Sequence, residues 1–380
     1  MSRTDADPTE EASPPPAPEG PLAFVKRLRA PGLAVVDATA HEVVGRVGSG
    51  RQPHGLVRSP DGRYGYVPYM GSNELEVVDL RRLTVANRVE AVGTAPVGAA
   101  ATRGGRHLFV STYGPLPSGD VPGVTVLRTD GAEVSVAAER PVGKAAGIAA
   151  DARDDVWVVA ADADEVVRID GSPPFEVRDR LPVAAGPQDL TYSPAYELLG
   201  VNCADGDRVT VVDALDRRVL GSVPAPNPRG GTVLTAYDRW IVGDTEGDGV
   251  TAIDAAALRD GETGPASVER VSLGTPTAFT DATPDGRLVA VDAYADDRVA
   301  FLDPETLSVV GRVPVGETPR HPRFGADGAV CYVPSVDGDR VTVVETAAVG
   351  TGRDPVIATV PFEDGVAPAG CFRTDRGEKR

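Results

Sequence analysis

The chain has 380 residues and is strongly acidic, with 38 Lys and Arg against 56 Asp and Glu and a formal net charge of −18. A surface of this charge repels phosphate and anionic lipid, so we expect neither a nucleic-acid partner nor a membrane partner. No apolar stretch approaches the roughly 18 residues of a transmembrane helix. Lysine occurs only as Lys26, Lys144 and Lys379, and arginine carries the remaining positive charge.

The first 20 residues form a segment rich in Pro, Glu and Ala with almost no large apolar side chain. Such a segment buries too little surface to offset the entropy of ordering, so residues 1–20 are predicted to be a disordered tail. It also lacks the apolar centre of a signal peptide, and a cytoplasmic location is therefore expected. Residues 21–380 are predicted to form one domain.

Residues 53–79, PHGLVRSPDGRYGYVPYMGSNELEVVD, have the pattern of three successive β-strands. The first apolar run ends at a turn, residues 59–62, and the second alternates before the loop at residues 70–73. Asp-Gly and Gly-Ser-Asn favour turns because these residues tolerate positive φ or hydrogen-bond their own backbone. The stretch therefore predicts short antiparallel strands joined by tight turns.

The same unit recurs along the whole chain, and its third strand is the easiest to follow. The central apolar residues of these third strands, spaced 41 to 49 residues apart, are Val36, Val78, Leu127, Ile169, Val212, Ile253, Leu302 and Val344. Four short strands with their turns fill a step of this size. The spacing predicts eight four-stranded units.

The two ends of the chain supply different strands of the repeat unit. Residues 21–37 align without a gap on residues 63–79, so the chain begins at the second strand of a unit. After the last third strand, residues 356–360 supply a fourth strand and residues 366–373 resemble a first strand. We therefore predict that three N-terminal strands and one C-terminal strand complete the eighth unit, which removes the open edges of the ring.

The repeat resembles the YVTN repeat of bacterial and archaeal β-propellers. The matching residues are Pro53-His54-Gly55, Ser59-Pro60-Asp61-Gly62, Tyr66-Val67 and Val77-Val78-Asp79. The resemblance implies an all-β fold, a single propeller of eight four-stranded blades. Propellers similar in scaffold include streptogramin lyases and phosphogluconolactonases, and eight-bladed relatives bind haem d1.

The inner strands of a propeller line its central channel, and their first residues face one mouth of it. The residues that align with His54 through the eight blades are His54, Val97, Ala146, Gln188, Arg229, a threonine or alanine near Thr277, Arg320 and Ala369. Asp189 and His321 follow one residue later. This uneven ring predicts a pocket with one apolar wall and a few convergent polar groups.

Two arginines and two histidines at one mouth suit a carboxylate, a phosphate or an enolate. Arginine offers a planar pair of donors, and histidine moves protons near neutral pH. The predicted catalytic residues are His54 and His321, and the predicted substrate-binding residues are Arg229, Arg320, Gln188, Asp189, Tyr113 and Tyr69. In the alternative interpretation, His54 caps a strand and the arginines pair with loop aspartates.

Two insertions interrupt the repeat. Residues 111–120, which carry Tyr113, lengthen a loop between second and third strands and are interpreted either as a flap over the mouth or as neutral drift. Residues 255–267 follow a third strand, so we place them on the opposite face with a structural role. His41 and His107 fall on outer or second strands and are also interpreted as structural.

Paired aspartates recur in the mouth loops, as in Asp205-Gly206-Asp207 and Asp337-Gly338-Asp339. Oxygen-rich clusters can hold calcium, so a divalent cation is one alternative. The spacing of a calcium hand is missing, and tight turns favour Asp at these positions, so turn formation is the preferred interpretation and no metal site is predicted. The three cysteines, Cys203, Cys331 and Cys371, are interpreted as free thiols in different blades.

Three functions remain open at this point. The first is an enzyme of lyase, lactonase or cyclase type that acts on a small anionic or carbonyl-containing metabolite without a further cofactor. The motifs of serine hydrolases, zincins and NTPases do not occur. The second is a non-catalytic scaffold for a protein partner. The third is a propeller that binds a haem-type tetrapyrrole, with His54 or His321 as the axial ligand.

Overall fold

The computed structural model describes residues 20–362 and the backbone of residues 368–374. Within these residues, 32 strands form eight antiparallel four-stranded sheets that are arranged as the blades of a β-propeller. The predicted eight-bladed, all-β architecture is thus confirmed. The predicted tail, apart from Gly20, lies outside the described residues.

The strands of each blade follow one another outward from the central channel. Blades 1 to 7 take consecutive groups of four strands starting from the fourth, and blade 8 combines the last strand with the first three. The first sixteen strands are β1 (Leu22–Arg27), β2 (Leu33–Asp37), β3 (Glu42–Val47), β4 (Val57–Arg58), β5 (Tyr64–Tyr69), β6 (Glu74–Asp79), β7 (Thr84–Val89), β8 (Pro96–Ala101), β9 (His107–Pro115), β10 (Pro122–Asp130), β11 (Glu133–Pro141), β12 (Ala145–Ala150), β13 (Val156–Ala160), β14 (Glu165–Ile169), β15 (Val177–Pro182) and β16 (Pro187–Ser193).

The second half of the chain repeats the pattern and adds short helical turns between strands. Its strands are β17 (Leu198–Cys203), β18 (Arg208–Asp213), β19 (Arg218–Pro224), β20 (Pro228–Leu234), β21 (Arg239–Asp244), β22 (Gly249–Asp254), β23 (Val268–Ser272), β24 (Thr280–Ala282), β25 (Val289–Ala293), β26 (Arg298–Leu302), β27 (Val309–Pro314), β28 (Arg323–Phe324), β29 (Val330–Ser335), β30 (Arg340–Glu345), β31 (Val356–Pro361) and β32 (Pro368–Thr374). The helix α1 (Ala255–Arg259) is accompanied by 3-10 turns at Thr235–Tyr237, Pro265–Ser267, Tyr294–Asp296 and Thr346–Ala348.

Neighbouring blades pack together through their second and third strands, which are buried on both faces. All eight third-strand residues used to measure the repeat are at most 1% exposed. Trp157 of blade 3 packs in one apolar cluster with Leu199 of blade 4, and Trp240 of blade 5 covers Gly200. A Cβ at Gly200 would lie 2.2 Å from the Trp240 ring, so this close approach requires glycine.

Side chains in the turns between second and third strands tie four of the blades to the next blade. The tying residues have φ between 52° and 60°, a range that Asn and Asp tolerate. The contacts are Ala95 N to Asn73 Oδ1 (2.8 Å), Gly186 N to Asp164 Oδ1 (2.9 Å), Asn227 N to Asp207 Oδ1 (2.8 Å) and Thr318 N to Asp297 Oδ1 (3.0 Å). The turn interpretation of the aspartates is confirmed at these positions.

Blade 8 closes the ring as predicted. Strand β1 pairs on one side with β2 and on the other with β32, with Ala23 opposite Val36 and Arg373. The pairing with β32 shifts register between Val25 and Arg27. Closure therefore depends on a strand from the far end of the chain, which takes the innermost place in a blade begun by the first strands.

The two insertions differ in their structure. Residues 111–115 of the predicted flap extend strand β9 instead, and the turn follows at residues 116–121. In the other insertion, Asp254 caps α1 by accepting a hydrogen bond from Ala257 N at 2.9 Å, and Leu258 packs against the Trp240 cluster. The second insertion therefore has the structural role expected of it.

The described residues contain two cysteines with visible side chains. Cys203 is a buried free thiol in blade 4 and Cys331 is buried in blade 7, whereas the side chain of Cys371 lies outside the described residues. Among the described helices, none has the length and apolar character needed to cross a membrane.

Removing residues 366–380 should abolish cooperative unfolding or make the protein insoluble. The deletion strips β32 from β1 and leaves backbone donors and acceptors unpaired along the channel. Thermal and urea unfolding, followed by circular dichroism, measure the effect. Deletion of residues 2–19 serves as the control and should leave the melting curve unchanged; an unchanged curve for the C-terminal deletion would contradict the role of β32 in closure.

Candidate functional site

A cavity of about 570 Å³ opens at the channel end where the inner strands begin. This volume lies within the roughly 300–1,000 Å³ of small-molecule sites. We call it the mouth cavity, and its lining includes three threonines and the larger polar or charged residues Lys26, His54, Tyr113, Gln188, Asp189, Arg229, Asp281, His321 and Arg323. Apolar and small residues, such as Val97, Ala146 and Ile148, line the side formed by blades 2 and 3.

The structure brings six of the eight predicted site residues together in the mouth cavity. These are His54, His321, Gln188, Asp189, Arg229 and Tyr113. Tyr69 lies elsewhere, because its ring is fully buried in an apolar cluster beneath Gly48 and Gly50. Arg320 also lies outside the lining, with its guanidinium carbon 3.9 Å from the centre of the Tyr294 ring.

Irregular backbone at the start of two inner strands explains the displacement of Arg320. His321 has a positive φ of 48° and takes the place in the cavity wall that the alignment gave to Arg320. In blade 6, Phe279 lines the cavity, whereas Thr277 is fully buried and donates a hydrogen bond to the Gly249 carbonyl. Phe279 stacks on His321 with ring centroids 3.5 Å apart, so it fixes the plane of the imidazole.

Both cavity histidines are held in the neutral form. The His54 ring is accessible from the cavity, yet the surrounding protein removes much of its hydration and lowers its pKa to about 4, helped by the charge of Lys26. Burial likewise lowers the pKa of His321 well below its ordinary value, and the charges of Lys26 and Arg323 act in the same direction. At pH 7 both imidazoles can therefore accept a proton or a hydrogen bond.

Lys26 is a cavity residue that the sequence alignment missed. It lies on β1 of blade 8, is 8% exposed, and its Nζ donates to the His54 carbonyl at 3.3 Å. Burial lowers its pKa to about 8, and the charge of Arg323 adds to this effect. The lysine therefore connects the closing blade to the mouth of blade 1.

The position of Lys26 in the repeat is the signal that could have identified it as a cavity residue. In several blades, the side chain that follows the buried valine of the second strand reaches the mouth carbonyl of the next blade. The three contacts are Ser111 Oγ to Ala146 O (2.7 Å), Asn202 Nδ2 to Arg229 O, and Lys26 Nζ to His54 O (3.3 Å). Lys26 occupies the same repeat position as Ser111 and Asn202, although its side chain is longer and carries an amine.

An ion pair supports the wall beside the histidines. Arg323 Nη1 lies 3.0 Å from Asp281 Oδ1, and Phe324 N donates to Asp281 Oδ2 at 2.8 Å. Burial raises the pKa of Asp281 in spite of the opposing Arg323 charge. Arg323 thus contributes positive charge at a fixed place, and neither residue was predicted.

The opposite wall combines a guanidinium, an amide and a carboxyl group. Arg229 donates from Nη1 to Gln188 Oε1. Asp189 is accessible from the cavity, yet the surrounding protein removes much of its hydration and raises its pKa to about 6 against the effects of the Leu190 amide and Arg229. Tyr113 lies at the rim, 37% exposed, with Lys144 Nζ 4.8 Å from its ring centre. This wall can bind an anion through Arg229 and can exchange a proton through Asp189.

The remaining histidines lie outside the mouth cavity. His41 contacts Tyr332 near the outer surface, and His107 packs edge-on against Phe175 at 4.9 Å. Throughout the described part of the chain, no group of three His, Cys, Asp or Glu side chains has the arrangement needed to hold a metal ion.

Comparison with solved structures identifies relatives in fold. The dihydro-heme d1 dehydrogenase NirN in complex with DHE is 21% identical, with a TM-score of 0.75 over 97% of this chain and 77% of that chain. Hydrazine synthase of Kuenenia stuttgartiensis is 21% identical, with a TM-score of 0.58 over 78% of this chain and 96% of that chain. A provisionally assigned 6-phosphogluconolactonase from Bacteroides uniformis is 16% identical, with a TM-score of 0.60 over 93% and 100%.

No protein-family model matches the chain, and no curated protein matches it. At these identities the solved structures support the propeller fold alone. The resemblance to the YVTN repeat stays a prediction from its motifs.

The cavity groups should give opposite pH effects on folding stability. His54 binds a proton below about pH 6.5 when unfolded but only near pH 4 when folded, so its contribution to stability is lost as the pH falls across this window. Asp189 has a folded pKa of about 6 against 3.8, so its contribution increases as the pH falls. His54→Gln should therefore lose less stability than the parent between pH 7 and pH 5, and Asp189→Asn should lose more.

Urea unfolding of the parent and both variants at pH 7 and pH 5 measures this difference. The two nearly isosteric variants control for each other, because both change a polar side chain in the same cavity. Equal pH dependence in all three proteins would contradict the perturbed pKa values.

Proposed function

We propose that the protein binds a small organic anion in the mouth cavity and transfers a proton to or from it. The proposal rests mainly on one observation: two neutral imidazoles share a single cavity with the cationic side chains of Lys26 and Arg229. Reactions that need such groups include elimination, lactone opening and cyclisation, which correspond to lyase, lactonase and cyclase activities.

The charge distribution favours an anionic ligand in spite of the net charge of −18. Lys26, Arg229 and Arg323 line the cavity, whereas Asp281 is paired with Arg323 and burial raises the pKa of Asp189. Positive charge therefore exceeds negative charge locally, and low-polarity walls strengthen its field. Arg229 presents a planar set of donors that matches a carboxylate.

Proton transfer follows from the state of the histidines. A neutral imidazole accepts a proton, and a bound anion would raise its pKa because opposite charge stabilises the imidazolium. Phe279 holds His321 in one orientation, so the acceptor is positioned before the ligand enters. Positioned acid–base groups of this kind accelerate reactions by roughly 10²–10⁴-fold.

Arg229→Gln should weaken the binding of oxalate, used as a dicarboxylate probe. A hydrogen bond to a charged group contributes about 1.5–3 kcal/mol, which corresponds to roughly a 10- to 150-fold increase in Kd. Isothermal titration calorimetry in two buffers of different protonation enthalpy measures Kd together with the expected proton uptake.

Arg320→Gln is the matched control, because Arg320 stacks on Tyr294 outside the cavity lining and its loss should leave Kd nearly unchanged. If both arginine variants raise the Kd of oxalate equally, oxalate does not bind at Arg229 in the mouth cavity. Failure of the parent to bind oxalate, citrate or succinate would favour the scaffold interpretation.

A tetrapyrrole ligand is the second candidate, and the similarity to NirN across 97% of the chain favours it. The residues present fit such a group in two respects. His54 offers a neutral, accessible imidazole that would ligate the metal of such a group, and Arg229 and Lys26 would bind its carboxylates. The group itself would supply redox or ligand-binding chemistry, and the protein would supply position and charge.

Titration with haemin distinguishes the two candidates. A tetrapyrrole site predicts a shifted, saturable Soret band with one equivalent, weakened in His54→Ala and retained in His41→Ala, since His41 lies at the outer surface. Native mass spectrometry of freshly purified protein provides the second measurement. A band that is identical in the parent and in His54→Ala would exclude His54 as the axial ligand.

A further inference from the structure

We propose that Lys26 is a nucleophile that forms an imine with the carbonyl group of a ligand held in the mouth cavity. This inference rests on the proposed function, and it narrows the ligand class to small anions that carry an aldehyde or ketone. Lys26 lies on β1 in the closing blade, and it lines the same cavity as His54, His321 and Arg229.

The position of the amine is fixed by its hydrogen bond and by burial. Nζ donates to the His54 carbonyl at 3.3 Å, and the whole residue is 8% exposed. Ser111 and Asn202 make the equivalent blade-to-blade contact with short neutral side chains. A lysine is therefore not needed for the contact itself, and its amine adds a reactive group to the cavity wall.

The electrostatic surroundings favour the neutral amine that nucleophilic attack requires. Arg323 lies close enough to repel a proton from Lys26, and Asp281 is engaged with Arg323. His54 and His321 face Lys26 as neutral imidazoles. The pKa of Lys26 is about 8, so a substantial fraction of the amine is neutral at physiological pH.

The reaction balances without an oxidant or a reductant. The nitrogen lone pair attacks the carbonyl carbon, and the carbonyl π electrons move to oxygen. One proton moves from nitrogen to that oxygen, with a neutral imidazole as carrier, to form a carbinolamine. The hydroxyl leaves as water together with the proton that remains on nitrogen, the nitrogen electron pair forms the carbon–nitrogen double bond, and hydrolysis regenerates the amine.

Glyoxylate, an anionic aldehyde, provides the probe, with cyanoborohydride to trap the imine as N-carboxymethyl-lysine. Peptide mapping by mass spectrometry should show Lys26 modified at least about tenfold faster than Lys144 at pH 7, since burial lowers the pKa of Lys26 to about 8 and so raises the fraction of its amine that is neutral. Lys144 is an exposed lysine at the cavity rim and serves as the internal control. Oxalate should protect Lys26 and leave the labelling of Lys144 unchanged.

Two variants test whether the adduct requires the Lys26 amine itself and not only a folded cavity. Lys26→Arg keeps a cation able to donate to the His54 carbonyl and should bind oxalate while losing the adduct, whereas Lys144→Met should label at Lys26 like the parent. Thermal melting of each variant checks folding.

The imine proposal would be overturned if the parent binds oxalate but glyoxylate labels Lys26 and Lys144 equally, or does not label Lys26 at all. The proposed function would still stand in that case. Absence of both oxalate binding and glyoxylate labelling would overturn both.

Discussion

The pairing of β1 with β32 is the interaction on which the rest of this structure depends. It joins residues separated by nearly the whole chain and converts seven complete blades and three leftover strands into a closed ring. Closure gives every blade a neighbouring blade on each side, and the ring encloses the mouth cavity. It also places Lys26, from the beginning of the chain, beside the mouth residues of blades 1 and 7.

Polar contacts at four of the blade junctions hold the backbone that leads into an inner strand. The turn residues Asn73, Asp164, Asp207 and Asp297 hold the segment that enters the next blade. Each such bond contributes about 0.5–1.5 kcal/mol, little beside the apolar burial between blades. Their effect is mainly positional, since each bond holds backbone that lies shortly before an inner strand of the next blade.

Desolvation governs the chemistry of the cavity more than direct ion pairing does. It is the largest cause of the low pKa of His54 and Lys26 and of the high pKa of Asp189. All three shifts favour the neutral form, so the cavity carries groups that are ready to exchange protons. An anion entering it would meet fixed positive charge from Arg229 and Arg323 in a protein whose overall charge is negative.

The sequence alone determined the fold of this protein because the repeat is local. Turn residues and a buried third strand recur every 41 to 49 residues, and the phases of residues 21–37 and 366–373 predict the closing blade. His54, Gln188 and Arg229 were also predictable, since each occupies the same place at the start of an inner strand.

Tertiary structure decided the rest of the site, because a cavity depends on details that the repeat does not encode. His321, which has a positive φ, lines the cavity where the alignment had placed Arg320. In blade 6, Phe279 lines the cavity where the alignment had placed Thr277. Lys26 belongs to a second strand and enters the cavity only through its length and its contact with the next blade. The sequence carries the positions of strands, whereas the pKa values and the convergence of side chains arise from the closed ring, where distant residues share one poorly hydrated space.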